Sequence, residues 1–202
     1  MASLADRRTV ARRALDLYTS PSRHYAFGTY DDLLGRDDEL TAADVLMANL
    51  LNLRLSASEV VPLFASGTTN ETALRTALDR ALIALRDVRP FEEFSSFDEL
   101  EEALVSLADA NEAAILVHRW TYVTVSKVLH RRRPHIVPLI DSRVRDFYRA
   151  KGPQAVRRAM FEDVQANRDW LEPLARSYAT PDGRPMTVLR AVDIVIWMPP
   201  DR

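Results

Sequence analysis

Apolar residues recur every three or four positions along almost the whole chain, and this spacing is the feature that most restricts its fold. Residues 70–88 show the spacing most clearly. There it places apolar side chains at Ala73, Leu74, Ala77, Leu78, Ala81, Leu82 and Leu85. The pattern predicts an amphipathic helix with Asn70 as its N-cap and Glu71 in its first turn. We therefore expect an all-α protein.

Helix-start signals predict several further helices. Thr41 precedes one apolar run, and Ser96 with Glu99 forms a capping-box pattern for a helix that reaches about residue 108. Residues 112–130 predict one long helix that ends before Pro134. The remaining helices are expected near residues 4–18, 58–65, 142–150, 153–168, 170–178 and 187–197. The last of these has a strand as its alternative, because it is rich in β-branched residues.

The length of the chain favours a single domain. With 202 residues, 47% of them hydrophobic, it has enough apolar side chains for one core. Clusters of turn residues at 35–38 and 180–185 predict loops, and both are too short to be domain linkers. Four aromatic residues on helical apolar spacing are assigned to the core, namely Phe161, Trp170, Tyr178 and Trp197. We expect one multi-helix domain over residues 1–202.

Composition excludes several classes of protein. The chain has no cysteine, so a disulfide scaffold and a thiolate metal site are excluded. Charged residues interrupt the first segment where a signal peptide needs an apolar block, and the longest apolar run, residues 194–198, is far too short to cross a bilayer. His118, His130 and His135 lack the spacing of a helical zinc site. The expectation is a soluble cytoplasmic protein without metal, cofactor or membrane contact.

Charge is unevenly distributed although the net charge is only −2. Residues 91–112 contain eight acidic residues and no basic one, whereas residues 119–151 contain nine basic residues and two acidic ones. The basic segment is interpreted as a phosphate-facing surface. The alternative is a solvated helix with a basic C-terminus, which the helix dipole also favours.

The segment from residue 123 to residue 144 carries the functional signal. A helix stops at Pro134, and Pro134 and Pro138 hold the following apolar link extended. Asp141 ends this link at the expected start of the next helix, where a carboxylate caps the backbone and the helix dipole favours its negative charge. Taken alone, Asp141 is a helix cap.

Two motifs in this segment resemble a known family. Pro138-Leu139-Ile140-Asp141-Ser142-Arg143-Val144 resembles the proline, apolar, apolar, aspartate, small, any, valine pattern of the helix-hairpin-helix glycine/proline-rich/aspartate superfamily of DNA glycosylases, particularly adenine DNA glycosylases. Ser126-Lys127 is similar to the residue pair of the bifunctional 8-oxoguanine glycosylases. The stretch is also similar to an actinobacterial family of unknown function.

The resemblance covers roughly residues 120–150. It implies an all-helical glycosylase-like fold, a role in DNA repair with double-stranded DNA as the partner, a catalytic Asp141 and a Lys127 that attacks the sugar. The chain departs from the family in two respects. Residues 111–124 contain no glycine for the family's hairpin turn, and the separation from Lys127 to Asp141 is 14 positions, about one helical turn shorter than the family suggests.

Cleavage of an N-glycosidic bond explains why this pair of residues is useful. The reaction builds positive charge on the sugar, which the Asp141 carboxylate stabilises, while a neutral Lys127 amine attacks the anomeric carbon and forms an imine. The candidate contacts to phosphate or to an extruded base are Trp120, Tyr122, His130, Arg131, Arg132, Arg133 and Arg143.

Two functional hypotheses follow from the sequence. The first is a DNA glycosylase-like protein that binds or acts on damaged DNA, with Lys127 and Asp141 as its catalytic residues. The alternative is a non-catalytic helical interaction protein, in which Asp141 is only a cap and the acidic or the basic segment binds a protein or a nucleic acid. Whether the chain is an enzyme stays open at this point.

Overall fold

The computed structural model describes residues 2–33 and 39–198. Within these residues the regular structure is helical, and the β-structure is limited to one isolated bridge between Ala179 and Pro185. The all-α expectation is confirmed, and the chain is a single multi-helix domain. The loop predicted at residues 35–38 lies outside the described residues.

Eleven α-helices occur in the described part of the chain. They are α1 Arg8–Thr19, α2 Phe27–Tyr30, α3 Ala42–Met47, α4 Ala57–Val60, α5 Asn70–Ala84, α6 Phe97–Ala103, α7 Val105–Ile115, α8 Tyr122–Arg132, α9 Ser142–Tyr148, α10 Pro153–Arg176 and α11 Val188–Trp197. Short 3₁₀ helices lie at Leu4–Arg7, Pro21–Arg23, Ala48–Leu51, Val61–Phe64 and Phe91–Glu93.

Two helices are buried along most of their length. In α11 every residue from 188 to 196 is buried, and in α8 every residue from 124 to 132. α11 packs against α1, α9 and α10, whereas α8 packs against α3, α5 and α7. Both helices carry charge into the interior, with Lys127 on α8 and Arg190 and Asp193 on α11. Because charged side chains are seldom buried without a specific partner, these two helices are where a functional site is expected.

Side-chain caps confirm most of the predicted helix starts. Thr41 Oγ1 accepts a hydrogen bond from Asp44 N at 3.2 Å, and Ser96 Oγ accepts one from Glu99 N at 3.2 Å. The Glu99 carboxylate accepts from the backbone of Ser95. Asp141 caps α9 as expected. The segment at 187–197 is a helix and not a strand, since Thr187 caps it and its residues pack on three other helices.

Several predicted helix boundaries were wrong. The N-cap of α5 is Thr69 and not Asn70, and the helix that begins after Ser96 ends at Ala103 before α7. The two helices expected at 153–168 and 170–178 form the single helix α10, which continues through Pro173. Proline lacks a backbone N–H, but here its ring lies on the exposed face of the helix, where it displaces no core side chain.

The predicted long helix at 112–130 is interrupted, which is the largest correction. α7 ends at Ile115 and α8 begins at Tyr122, and Arg119 between them has a φ of 63°. Burial explains the break, because the Trp120 indole enters the core and its Nε1 donates to the Glu59 carbonyl at 3.3 Å. Thr121 then caps α8.

No helix in the described residues combines the length and the apolar character needed to cross a bilayer.

Candidate functional site

A cavity of about 210 Å³ lies between the middle of α8, the start of α9 and the second half of α11. Its polar lining comes from five separate segments of the chain. These residues are His24, Asn52, Lys127, Asp141 and Asp193. Aromatic side chains form the remaining wall, with Tyr18, Tyr25 and Trp197. The cavity thus combines an amine and two carboxylates with flat apolar surfaces.

Lys127 extends from α8 into this cavity. Its side chain is only 5% exposed, and its Nζ donates to the Leu51 carbonyl at 2.6 Å. The backbone of Lys127 is held in place by Tyr30, whose hydroxyl donates to the Lys127 carbonyl at 2.6 Å. Burial lowers the pKa of Lys127, while the charges of Asp141 and Asp193 raise it in opposition. The net lowering favours the neutral amine, which is the nucleophilic form.

Asp141 faces Lys127 from the start of α9. One carboxylate oxygen, Oδ1, accepts from Val144 N at 3.0 Å and so caps the helix. The other, Oδ2, lies 3.8 Å from Lys127 Nζ. The carboxylate therefore has a fixed orientation and one oxygen directed toward the amine.

Ser126 holds the two motifs together. Its hydroxyl donates to the Val123 carbonyl within α8 at 2.9 Å and accepts from Ile140 N at 3.3 Å. The second bond ties the extended link to α8 one residue before Asp141. The Ser126-Lys127 pair thus places the lysine beside the aspartate and attaches the segment that carries the aspartate.

Asp193 is a site residue that the sequence analysis missed. It lies on α11, lines the cavity, and accepts from Arg190 Nη1 at 2.5 Å. Burial raises its pKa to about 6, although the positive charge of Arg190 opposes this change. The available signal was an Arg and an Asp three positions apart inside an otherwise apolar helix.

The aromatic wall is built around Trp197, which the sequence analysis assigned to the core. Trp197 is half-buried, and its ring centroid lies 5.8 Å from those of both Tyr18 and Tyr25. Arg143 covers this tryptophan, with its guanidinium carbon 4.7 Å from the ring centroid and Nη1 donating to the Trp197 carbonyl at 2.6 Å. Arg143, a candidate contact from the sequence, is exposed and contacts the cavity wall through Trp197, but it is not itself among the lining residues.

Two lining residues have unusual backbone conformations. His24 has a φ of 54° and Asn52 a φ of 64°, and neither is a glycine. Left-handed backbone at residues other than glycine is uncommon and is concentrated at functional sites. Each residue ends a short 3₁₀ helix, and asparagine and histidine adopt this conformation more often than most other residues.

The three consecutive arginines are placed differently from the sequence expectation. The side chains of Arg131, Arg132 and Arg133 are buried. Arg131 and Arg132 both bind the Asp44 carboxylate, and Arg133 Nε donates to the Leu82 carbonyl at 2.9 Å. These contacts correct the idea of a continuous phosphate-facing surface, because the three guanidinium groups stabilise the interior and do not line the cavity.

The other candidate contacts are also directed inward. Trp120 is buried against α4, and His130 is buried with Nδ1 donating to the Val137 carbonyl at 2.6 Å. Burial lowers the pKa of His130 to about 3, so it is neutral. Tyr122 is half-buried, and its hydroxyl accepts from Arg145 at 3.2 Å. None of these three is among the residues that line the cavity.

Among the residues that the structure describes, no three His, Asp or Glu side chains are grouped as metal ligands.

Comparisons with known proteins give one match. A family model described as "Family of unknown function (DUF6308)" matches residues 11–199, nearly the whole chain. Neither the curated proteins nor the solved structures include a significant match. The residues of the cavity all lie inside the matched range.

Proposed function

The chain belongs to DUF6308, a family of unknown function, and from the geometry of its cavity we propose that it is a DNA glycosylase-like protein. In this proposal Lys127 and Asp141 are the catalytic residues, and the substrate is a damaged nucleotide in double-stranded DNA. The observation that carries the proposal is the distance of 3.8 Å between Lys127 Nζ and Asp141 Oδ2 inside one cavity.

The reaction assigns a separate task to each residue. The neutral Lys127 amine attacks the anomeric carbon, a new C–N bond forms, and the bond from that carbon to the base breaks. The base leaves with the bonding electrons and takes up one of the two protons of the Lys127 nitrogen. The bond between the anomeric carbon and the ring oxygen then breaks, the oxygen takes up the second proton, and an imine to Lys127 forms. Asp141 stabilises the positive charge that develops on the sugar during bond cleavage.

The charge of the cavity supports a transition state of positive character. In its reactive form a neutral Lys127 amine faces two carboxylates, at Asp141 and Asp193. A site with this balance stabilises developing positive charge and disfavours anionic ligands. A phosphate group is therefore expected to stay outside the cavity, while the sugar and base approach Lys127.

The size and the walls of the cavity fit a flat, small group. About 210 Å³ is less than the 300–1,000 Å³ typical of drug-sized ligand pockets. Tyr25 and Trp197 supply aromatic surface on which an extruded base can stack. These two residues take the role in the proposal that the sequence analysis gave to Trp120 and Tyr122.

The helices before the site support the proposed likeness to the helix-hairpin-helix glycosylase fold. α7 and α8 are consecutive helices joined by a turn over residues 116–121, and the helix after the turn carries Lys127. The turn contains no glycine, but Arg119 takes the left-handed conformation that a glycine would provide. In the proposal this turn faces the DNA backbone with the exposed Arg119, and Arg143 near the start of α9 supplies a second exposed cation.

Trapping of an imine tests the proposal directly. The full chain is incubated with duplexes that each carry one lesion, in the presence of borohydride, which reduces an imine to a stable crosslink. We expect a crosslinked product that disappears in Lys127→Gln. Lys151→Gln is the matched control, because Lys151 is exposed and is the only other lysine in the chain. A folded parent protein that neither crosslinks nor releases a base from any lesion overturns the proposal.

A specific surface favours the non-catalytic alternative. Ile115 and Leu116 at the end of α7 are 79% and 66% exposed, and the exposed acidic residue Glu112 lies one helical turn before them. Exposed apolar residues next to charge are typical of protein interaction sites. This alternative predicts that Ile115→Ser folds normally but no longer binds a protein partner. It also predicts that the parent protein forms no imine with any lesion.

A further inference from the structure

Asp193 enters the cavity from a different helix than Lys127 and Asp141. Its Oδ2 accepts from Arg190 Nη1, and Arg190 itself binds Asp31 through two hydrogen bonds of 2.8 and 2.7 Å. Arg190 Nη2 also lies 3.3 Å from the Tyr18 hydroxyl. The guanidinium is thus held from several sides and fixes the Asp193 carboxylate in the cavity wall.

We infer that Asp193 is a positioning residue whose charge, together with that of Asp141, controls whether the Lys127 amine carries its proton. The inference rests on the proposed function for its catalytic meaning, because the amine attacks only when it is neutral. Asp141 acts from the start of α9, while Asp193 acts from α11 on another wall of the cavity. Neither carboxylate alone sets the charge around the amine.

The groups that face Asp193 come from every element around it. They are Arg190 on its own helix, Tyr30 and Asp31 at the end of α2, Tyr18 on α1, Lys127 on α8, and Asp141 at the start of α9. His24 lines the same cavity. With Arg190 and a protonated Lys127 each counted as +1 and Asp31 and Asp141 each as −1, these groups have a net charge of −1 when Asp193 is ionised and zero when it is protonated. The protonation of Asp193 therefore decides whether the cavity favours a positive charge.

Burial moves the pKa values of the Lys127 amine and the Asp193 carboxyl toward each other. The desolvated Lys127 amine has a lowered pKa, and the desolvated Asp193 carboxyl has its pKa raised to about 6. Each group also opposes the shift of the other, since their charges attract. Removing one of them must consequently change the titration of its partner.

The cost of burying this network also argues for a function. A buried ion pair rarely stabilises a fold more than well-packed apolar side chains would. Here Arg190, at 1% exposure, brings two carboxylates into the interior, and one of them opens onto the cavity beside the lysine. A network that only stabilised the core would not need Asp193 at the cavity wall.

Nuclear magnetic resonance titration of the full chain, labelled with ¹³C-lysine, tests the inference without any DNA. The chain has only two lysines, so the exposed Lys151 serves as an internal reference for Lys127. In Asp193→Asn we expect the titration midpoint of Lys127 to move to lower pH, while that of Lys151 stays unchanged. The matched control is Asp163→Asn, which removes a half-buried carboxylate that binds Ser3 and Leu4.

A reciprocal measurement covers the case in which Asp193→Asn does not fold. In Lys127→Gln, the ¹³C-carboxyl signal of Asp193 is expected to titrate at higher pH than in the parent protein, because a neighbouring cation is lost. Absence of both shifts overturns the inference. If the shifts occur but no imine forms on any lesion, the proposed function fails and the inference holds. If an imine forms without the shifts, the inference fails and the proposed function holds.

Discussion

Arg190 and Asp31 form a buried bidentate ion pair, in which Nε lies 2.8 Å from Oδ1 and Nη2 lies 2.7 Å from Oδ2. The two residues are 159 positions apart and join the segment after α2 to α11. Arg190 is among the largest fully buried side chains of the structure. The pair therefore fixes the helix that carries Asp193 against the N-terminal third of the chain.

Removing the charge of Asp31 should destabilise the protein strongly. Asp31→Asn leaves a buried guanidinium with one carboxylate fewer, and breaking a buried pair in this way typically lowers the free energy of unfolding by about 3–5 kcal/mol. Urea denaturation measures the change. The control is Asp98→Asn, whose carboxylate is 88% exposed and lies 3.6 Å from Arg158. The control is expected to lose at most about 1 kcal/mol. Equal losses in the two variants would contradict the structural role of the buried pair.

Asp141 allows its capping role to be separated from its proposed chemical role. Asparagine caps a helix about as well as aspartate, so Asp141→Asn should keep nearly the full stability, whereas Asp141→Ala should lose about 1 kcal/mol. Both variants lose the carboxylate beside Lys127, so both should lose base release. Melting temperature and imine trapping are measured on the same samples. A large stability loss in Asp141→Asn would identify the carboxylate as structural.

Glu92 should make the protein less stable at high pH. Burial raises its pKa to about 7, and its Oε2 has no hydrogen-bond partner among the described residues. An unfolded glutamate titrates near pH 4.3, so between about pH 4 and 7 the folded state holds more protons than the unfolded state. The stability of the protein therefore falls as the pH rises through this window, and the contribution of Glu92 to stability is lowest above pH 7.

The variant Glu92→Gln removes this pH dependence. We subtract the parent's free energy of unfolding from that of the variant at each pH. This difference should be about 2–3 kcal/mol more favourable to the variant at pH 8 than at pH 5. Its exposed neighbour supplies the control, since Glu93→Gln should show no such difference. Urea denaturation at the two pH values gives the comparison. A difference between Glu92→Gln and the parent that is the same at pH 5 and at pH 8 would show that the pKa of Glu92 is not raised in the folded state.

Local sequence patterns predicted the helices that have an apolar stripe and a polar cap. α5 follows from its three-and-four spacing, and Ser96 and Asp141 cap the helices expected of them. The break between α7 and α8 has no such signal. It arises because Trp120 is buried against α4, a contact with a residue 61 positions earlier in the chain.

The candidate site was predictable where its residues lie close together in sequence. Lys127 and Asp141 share one segment, and the prolines between them already indicate an extended link. Asp193 and the buried arginines depend on partners far away, such as Asp31 for Arg190 and Asp44 for Arg132. A run of basic residues has the same local pattern whether it faces solvent or a distant carboxylate, so burial of Arg131, Arg132 and Arg133 could not be read from the sequence.

Any affinity for DNA should depend on Arg143, which is exposed beside the cavity, and not on the buried residues Arg131, Arg132 and Arg133. Replacing Arg132 with alanine leaves the buried Asp44 with one partner fewer and is expected to destabilise the fold, so this variant reports on folding. Arg143 is exposed and covers Trp197 at the cavity wall. Arg143→Ala should weaken binding to duplex DNA at low salt to a similar extent for all sequences.

Salt dependence then identifies the kind of contact that Arg143 makes. If it binds a phosphate, the slope of log affinity against log salt concentration should decrease in magnitude by about 1 in Arg143→Ala, because one fewer counterion is released. Arg158→Ala is the matched control, since Arg158 is also exposed and also lies over an aromatic ring, that of Phe97. Fluorescence anisotropy with a labelled duplex measures both slopes. Equal slopes in the parent and both variants would place the DNA surface elsewhere, while an equal decrease in both would indicate general electrostatic attraction and not a phosphate contact at the cavity.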